Sequence, residues 1–180
     1  MGVSVARYVF IALSIAVFIA VPPIRTDAIQ KLGPTEIAFL RNAAQEQLAE
    51  IGLGRLAVKK ASDKKVKEVG TEILEDHEYA SQELKDLSAT VRIYLPVEMN
   101  DQQKKAQQRM SHLSGNEFDK AFIAYMLKKH RKQVEELQKN ALKLHNDNVK
   151  QWAQATEPIL EVHLKKMEHV AEALGMDEDK

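Results

Sequence analysis

The sequence predicts an all-α protein, a four-helix bundle with a short crossover helix between the second and third long helices. Apolar residues recur every three or four positions through most of the chain, which is typical of helices with one buried face. No stretch of useful length alternates as a β-strand would. Residues 70–87 (GTEILEDHEYASQELKDL) show the pattern well, because His77 shares a face with Ile73, Ala80 and Leu84.

Composition excludes several classes of function. The chain has 180 residues, 26 basic and 26 acidic side chains, and no cysteine. The balanced charge provides no overall field for nucleic acid or an anionic membrane. The missing cysteine excludes disulfides, thiolate metal sites, a cysteine nucleophile and a lipid-modified cysteine.

Residues 1–28 are predicted to be a signal peptide. Arg7 precedes an apolar run, residues 8–21, that is too short to span a bilayer comfortably but suits a signal segment. We expect cleavage after Ala28, with Ala20 as a weaker site, and an uncleaved signal anchor as the alternative. The protein is therefore expected in the periplasm or cell envelope, without a stable membrane span after cleavage.

The first two long helices are predicted to form an antiparallel hairpin. The first begins near Pro34, carries Glu36 in its first turn and runs to about Ala61. Asp63 is the expected N-cap of the second helix, residues 64–89. The short link between them favours antiparallel packing.

Residues 90–114 have the character of a crossover connection. Pro96 ends the helical pattern, and Asn100 is positioned to cap a short polar helix over residues 102–113. This connection is too long for a tight turn, so the helices that it joins are free to run parallel.

The last two long helices are predicted over residues 117–144 and 148–174. Pro158 lies inside the fourth helix and is expected to kink it, and Gly175 is the expected C′ residue. The bundle domain therefore covers residues 29–175, and residues 176–180 form a frayed tail. The second and fourth helices open alike, with VKEV and VKQW, which hints at two related hairpins.

Three histidines and a carboxylate define the candidate site. His77, His130 and His163 lie near the middle of three long helices, on their apolar faces, and Glu50 lies near the middle of the first. Helices spanning one bundle would bring these side chains to one level. Neutral imidazoles with one carboxylate suit Zn(II), Fe(II) or Mn(II). Glu46 is a weaker candidate for an inward position.

Two other interpretations of the cluster remain open. The side chains could form a buried polar layer that fixes helix register, with hydroxyls such as that of Ser81 as partners. Copper is the less favoured metal. Met126 and Met167 each lie four residues from a site histidine, but methionine on an apolar face is usually core. The remaining histidines are expected in solvent: His112, His145 and His169.

No catalytic motif is present. The sequence lacks a phosphate-binding loop, a nucleophile elbow and a His-Glu-x-x-His motif. Its basic clusters alternate with glutamates as on a solvated face, so no nucleic-acid partner is expected.

Several motifs occur together over about residues 34–174. They are Phe39, Ala43 and Ala44; residues 49–57 (AEIGLGRLA); Asp76-His77; residues 113–119 (LSGNEFD); His130; and Pro158 with His163-Leu164. As a set they resemble a family of exported bacterial proteins described as outer membrane proteins, a domain of unknown function in the ferritin-like superfamily. The resemblance implies a ferritin-like four-helix bundle in the periplasm or on the cell surface, and no assigned activity.

The sequence departs from ferritin-like di-iron proteins in one respect. Those proteins carry Glu-x-x-His on two helices, whereas Leu74, Leu127 and Leu160 stand three residues before the histidines here. Di-iron chemistry is therefore not expected. We predict a non-enzymatic binding or stress-related envelope protein. The alternatives are a metal-handling or redox enzyme, or a structural bundle that binds an envelope partner.

Overall fold

The computed structural model describes residues 31–176, and the predicted signal peptide lies outside them, as does most of the predicted tail. The described part is helical and contains no strand. Four helices of 27 residues and one of 11 follow one another along the chain. They are α1 (Pro34–Lys60), α2 (Lys64–Thr90), α3 (Asp101–Ser111), α4 (Gly115–Ala141) and α5 (Asp147–Ala173).

The helix starts follow from capping side chains. Asp63 accepts hydrogen bonds from the first backbone N–H groups of α2, and Asn146 does the same for α5. Asn100 and Gln103 form a reciprocal capping box at the start of α3. The predicted caps at Asp63 and Asn100 are confirmed, as is Gly175 beyond α5, where it has a positive φ of 64°.

The third long helix is shifted relative to the prediction. It begins at Gly115 and ends at Ala141, whereas the periodicity indicated residues 117–144. Leu144 continues the apolar pattern because it is buried in the turn that follows the helix. Pro158 lies inside α5, which is continuous around it; the kink stays a prediction.

The long helices pack in a closed order: α1 on α2, α2 on α5, α5 on α4, and α4 on α1, with α3 against α1 and α4. Glu36, at the start of α1, accepts hydrogen bonds from the turn after α4. Asp119, at the start of α4, accepts them from the turn after α1. Therefore α1 and α4 are antiparallel, and α2 and α4 run in the same direction.

A polar layer divides the core into two apolar clusters. One cluster contains Phe118, Phe122 and Met167, and the other contains Leu40 and Leu84. On each long helix the cluster members lie on either side of the positions that carry the candidate site. The site is therefore at mid-height, enclosed by packed side chains. Among the described residues, no helix combines the length and the apolar character that a bilayer span requires.

Candidate metal centre

The predicted site residues come from four helices and meet at one level. His77 stands at the midpoint of α2, and His130 and His163 lie within one turn of the midpoints of α4 and α5. Glu50 lies three residues beyond the midpoint of α1. Their exposed fractions are 3% for His77, 0% for His130, 2% for His163 and 1% for Glu50. A buried ionisable group needs a partner, and each of these has polar neighbours.

The three imidazoles form a compact group. One ring nitrogen from each lies within 4.8 Å of the other two. The ring centroids of His130 and His163 are 5.3 Å apart, and that of His77 is 5.8 Å and 5.6 Å from them. The predicted convergence of three helices on one polar cluster is present in the structure.

Glu50 connects α1 to both neighbouring helices. Its Oε2 lies 2.7 Å from Nε2 of His77, and its Oε1 accepts a hydrogen bond of 2.6 Å from Nε2 of Gln133. Nδ1 of His77 lies 2.8 Å from Oε1 of Gln47. The close approach of His77 to Glu50 does not have the geometry of a hydrogen bond.

His163 links the other two histidine-bearing helices. Its Nδ1 lies 3.2 Å from Nε2 of His130, and its Nε2 lies 3.0 Å from Oδ2 of Asp76. Asp76 is half-exposed, so this side of the cluster reaches the surface. The backbone of Met126, one turn before His130, stabilises the protonated form of that ring, although Nδ1 makes no hydrogen bond of full geometry.

The proton positions allowed by these contacts expose ring lone pairs to the centre of the cluster. When Nε2 of His163 donates to Asp76, its Nδ1 carries a lone pair that faces His130. When Nδ1 of His77 donates to Gln47, its Nε2 carries a lone pair that faces the carboxylate of Glu50. With a single N–H, His77 can donate to Gln47 or to Glu50 but not to both. A cation bound beside Nε2 would attract both the lone pair of the ring and the carboxylate of Glu50.

Electrostatics keep His130 and His163 neutral and the carboxylate of Glu50 charged near neutral pH. Burial lowers the pKa of His130 to about 4, although the nearby Glu50 opposes the shift. Burial and the neighbouring His77 lower the pKa of His163, against the effect of Asp76. Burial would raise the pKa of Glu50, but His77, His130 and the hydrogen bond from Gln133 outweigh it and lower the pKa to about 2. Neutral imidazoles and a carboxylate are the forms that bind a divalent metal.

The arrangement fits a metal in spacing and in the groups around it. Two nitrogens on one tetrahedral zinc would be roughly 3.3 Å apart, and those of His130 and His163 are 3.2 Å apart. The ring nitrogen of His77 would have to move closer to the other two, since the three nitrogens now lie up to 4.8 Å apart. Ligating histidines usually donate their second ring N–H to an acceptor. Gln47 and Asp76 supply that acceptor for His77 and His163.

The remaining predicted residues lie further out or in the core. Glu46 is half-buried and pairs with Lys129 at 2.7 Å instead of reaching the histidines. This contact brings Lys129 partly inside, whereas its basic cluster was predicted to be solvated. Met126 and Met167 are fully buried members of one apolar cluster. As predicted, the other three histidines are exposed: His112, His145 and His169.

Sequence reasoning missed three neighbours of the cluster. Gln47 and Gln133 are not among the residues that the sequence predicted for the site, and Asp76 was predicted only as part of the family motif. The amides of Gln47 and Gln133, rather than the suggested hydroxyl of Ser81, contact the cluster. Helical spacing was the available signal, because Gln47 precedes Glu50 by three residues and Gln133 follows His130 by three.

The fold and the cluster define a class: an all-helical domain whose buried histidines, contributed by three helices, are able to hold a metal ion. Residues 22–170 match a family described as "Domain of unknown function (DUF4142)". The chain belongs to that family. No protein of curated function shows significant similarity to it.

A solved structure shares the fold. The crystal structure of a DUF305 fragment from Deinococcus radiodurans superposes with a TM-score of 0.64 at 12% sequence identity. The match covers 81% of this chain and 98% of that fragment. At this identity the likeness concerns the fold alone.

Proposed function

We propose that this protein is a ferritin-like four-helix bundle with a crossover helix that binds one divalent metal ion at mid-height. The observation that carries the proposal is the convergence of three buried imidazoles from three helices, with ring nitrogens within 4.8 Å of one another. The ligands are His77, His130 and His163, and Glu50 supplies the carboxylate. The packing order of the long helices and the likeness to the DUF305 fragment support the bundle type.

The donor set narrows the choice of metal. Three imidazole nitrogens and one carboxylate oxygen suit Zn(II), Fe(II) or Mn(II). Copper is disfavoured, since the two methionines beside the histidines belong to the apolar cluster. Leucines occupy the positions of the second carboxylates of a di-iron site, so the site is mononuclear.

The proposed role is binding rather than catalysis. A bound metal would supply Lewis acidity or, for iron, redox chemistry. The alternative function is a metal-handling or redox enzyme that uses the same ligands. The half-exposed Asp76 beside His163 favours this alternative, because it gives small molecules a route from solvent to the site. Oxygen consumption by the Fe(II)-loaded protein distinguishes the two, because a binder shows no turnover above free Fe(II).

Metal titration of chelator-treated protein tests the site. We expect one Zn(II) or Co(II) per chain by calorimetry, and d–d absorption of a tetrahedral Co(II) complex. Replacing His163 by Gln should abolish stoichiometric binding, whereas replacing the exposed His112 by Gln should not. If the parent protein binds no ion and the His163→Gln variant changes only stability, the cluster is a buried polar layer that fixes helix register.

We also propose that the protein is exported to the periplasm or cell envelope. The support is the pattern of residues 1–28, with a charged start and an apolar run. Expression in a bacterial host followed by mass spectrometry should give a mature protein beginning at Ile29. A full-length chain in the cytoplasmic fraction would contradict export, and a full-length chain in the membrane would indicate an uncleaved anchor.

A further inference from the structure

A cavity lies beside the histidine cluster, between α1, α3, α4 and α5. It has a volume of about 200 Å³ and is partly open to solvent. Gln47, His77 and Gln133 of the cluster are among its lining residues, as are the aromatic residues Phe39 and Trp152. It is large enough for a molecule built on a single ring. The metal site accounts for His77 and its amide neighbours, but not for Phe39, Gln103 or Trp152, which also line the cavity.

Two buried donors in the wall have no partner among the described residues. They are Nε2 of Gln103 and Nε1 of Trp152, and both side chains are more than nine-tenths buried. The orientation of the Gln103 amide is fixed, because its Oε1 accepts a hydrogen bond of 2.9 Å from the backbone N–H of Asn100. Its NH₂ group is therefore the end left to bind something else. A buried donor without an acceptor is costly, so an acceptor is expected there.

One acceptor in the wall is similarly fixed. Nε2 of Gln133 donates to the charged carboxylate of Glu50, so its Oε1 is the end that remains. This oxygen has no hydrogen-bond partner in the part of the chain that the structure describes. Residues that line the cavity therefore hold two donors and one acceptor without partners among the described residues, and these groups match a ligand with a carbonyl oxygen and an N–H or O–H group.

The charges around the cavity favour an uncharged ligand. Glu46 pairs with Lys129 at 2.7 Å, and Glu136 pairs with Lys132 at 3.4 Å. Glu46, Lys132 and Glu136 are all lining residues. Because these charges are balanced in pairs, the cavity offers no unpaired charge to an ionic ligand. An added carboxylate would also lie near the buried charge of Glu50.

We propose that this cavity is a binding site for small uncharged molecules of the amide class, with an apolar body against Phe39 and Trp152. The carbonyl oxygen accepts from Gln103 and Trp152, and the ligand N–H donates to Oε1 of Gln133. This site goes beyond the proposed metal site, and its occupancy does not require a metal ion.

Trp152 provides a direct readout, since it is the single tryptophan of the chain. The probe is benzamide, added to ¹⁵N-labelled, chelator-treated protein while the indole N–H resonance is followed. We expect a saturable shift of that resonance. N,N-dimethylbenzamide, which lacks a donor, and benzoate, which is charged, should each bind roughly tenfold more weakly or worse.

The Gln103→Glu variant provides the critical comparison. Glutamate preserves the acceptor of the capping box but replaces the donor with an oxygen, so benzamide affinity should fall by roughly tenfold or more. Gln108→Glu is the matched control, because Gln108 is exposed on the same helix and does not line the cavity. It should leave benzamide binding unchanged.

Three results would overturn the proposal: no saturable shift with benzamide, equal affinity for the three probes, or equal affinity of the Gln103→Glu variant and the parent protein. The second result would indicate an apolar cavity without polar recognition. Since the protein is free of metal throughout, these results are independent of the metal titration.

Discussion

Glu36 and Asp119 make equivalent contacts from the first helix of each of the two helical hairpins. The hairpins are α1–α2 and α4–α5. Each carboxylate accepts hydrogen bonds from two backbone N–H groups in the other hairpin: that of the N-cap residue of its second helix and that of the preceding residue. Glu36 contacts His145 at 2.9 Å and Asn146 at 2.7 Å. Asp119 contacts the backbone of Ser62 at 3.1 Å and of Asp63 at 2.9 Å, and it also accepts from the hydroxyl of Ser62.

This reciprocal arrangement joins the two halves of the molecule at opposite ends. Helices of 27 residues are about 40 Å long, so the two contacts are far apart. The similar openings of the second and fourth long helices had hinted at related hairpins. The N-cap contacts extend that likeness. The backbone N–H of Val66 donates to the side chain of Asp63, and that of Val149 donates to the side chain of Asn146.

We predict that Glu36→Gln and Asp119→Asn each destabilise the protein by about 1–3 kcal/mol, because an amide NH₂ would face buried backbone N–H groups. The double variant should show the sum of the two effects, since the sites are distant. Urea unfolding followed by circular dichroism measures this. Glu117→Gln is the control, because Glu117 is exposed in the first turn of α4. A marked departure from additivity would contradict the independence of the two ends.

The metal-free protein should lose stability as the pH falls from about 6.5 to 4. The pKa of His130 is lowered to about 4 in the folded protein, so the unfolded chain binds more protons than the folded protein in this range. The free energy of unfolding therefore decreases as the pH decreases. His130 alone accounts for about 3 kcal/mol. The lowered pKa of Glu50 extends the loss below pH 4.5. Urea midpoints measured between pH 7 and 4 test this.

Two variants attribute that acid sensitivity to the cluster. His130→Gln should reduce the dependence between pH 6.5 and 4 and leave the part due to His163, whose pKa is also lowered. The exposed His112→Gln should preserve the full dependence. Unfolding free energies that stay constant from pH 6.5 to 4 in the parent protein would exclude a neutral buried His130.

Asp76→Asn should weaken metal binding by on the order of tenfold without changing its stoichiometry. Asp76 fixes the ring of His163 through Nε2 and is not itself among the proposed ligands. Competition with a chromophoric chelator measures the affinity. Glu75→Gln, an exposed neighbour on the same helix, should match the parent protein. Complete loss of the ion in Asp76→Asn would instead make Asp76 a direct ligand.

Gly70→Ala should destabilise the protein although alanine is the better helix former. A Cβ at Gly70 would overlap the Cβ of Ala57, which is fully buried in α1 and cannot turn away. We expect a net cost of about 1–2 kcal/mol after the gain in helix propensity. Thermal unfolding measures it.

Gly52→Ala is the matched comparison. A Cβ at Gly52 would meet only the end of the Gln107 side chain, which is free to move. This variant should therefore be neutral or slightly stabilising. Equal effects of the two substitutions would mean that α1 and α2 do not pack as closely as described.

The local features of this protein were readable from the sequence. Apolar spacing and caps such as Asp63 and Asn100 located the helices to within a few residues, because both act over one or two turns of chain. Histidines at similar depths in helices of equal length predicted a common level. The exception was Leu144, whose burial in a turn imitated another turn of helix.

The amino-acid sequence by itself determined the five helices, the caps at Asp63, Asn100 and Gly175, and the four residues that meet at mid-height. Only the tertiary structure decided which atoms of Glu50, His77 and His163 face one another, and that Gln47, Asp76 and Gln133 complete the cluster. It alone also showed the cavity in which Gln103 and Trp152 keep buried donors. The reason is that periodicity fixes the face on which a side chain lies, whereas its partners depend on the rotation and spacing of packed helices.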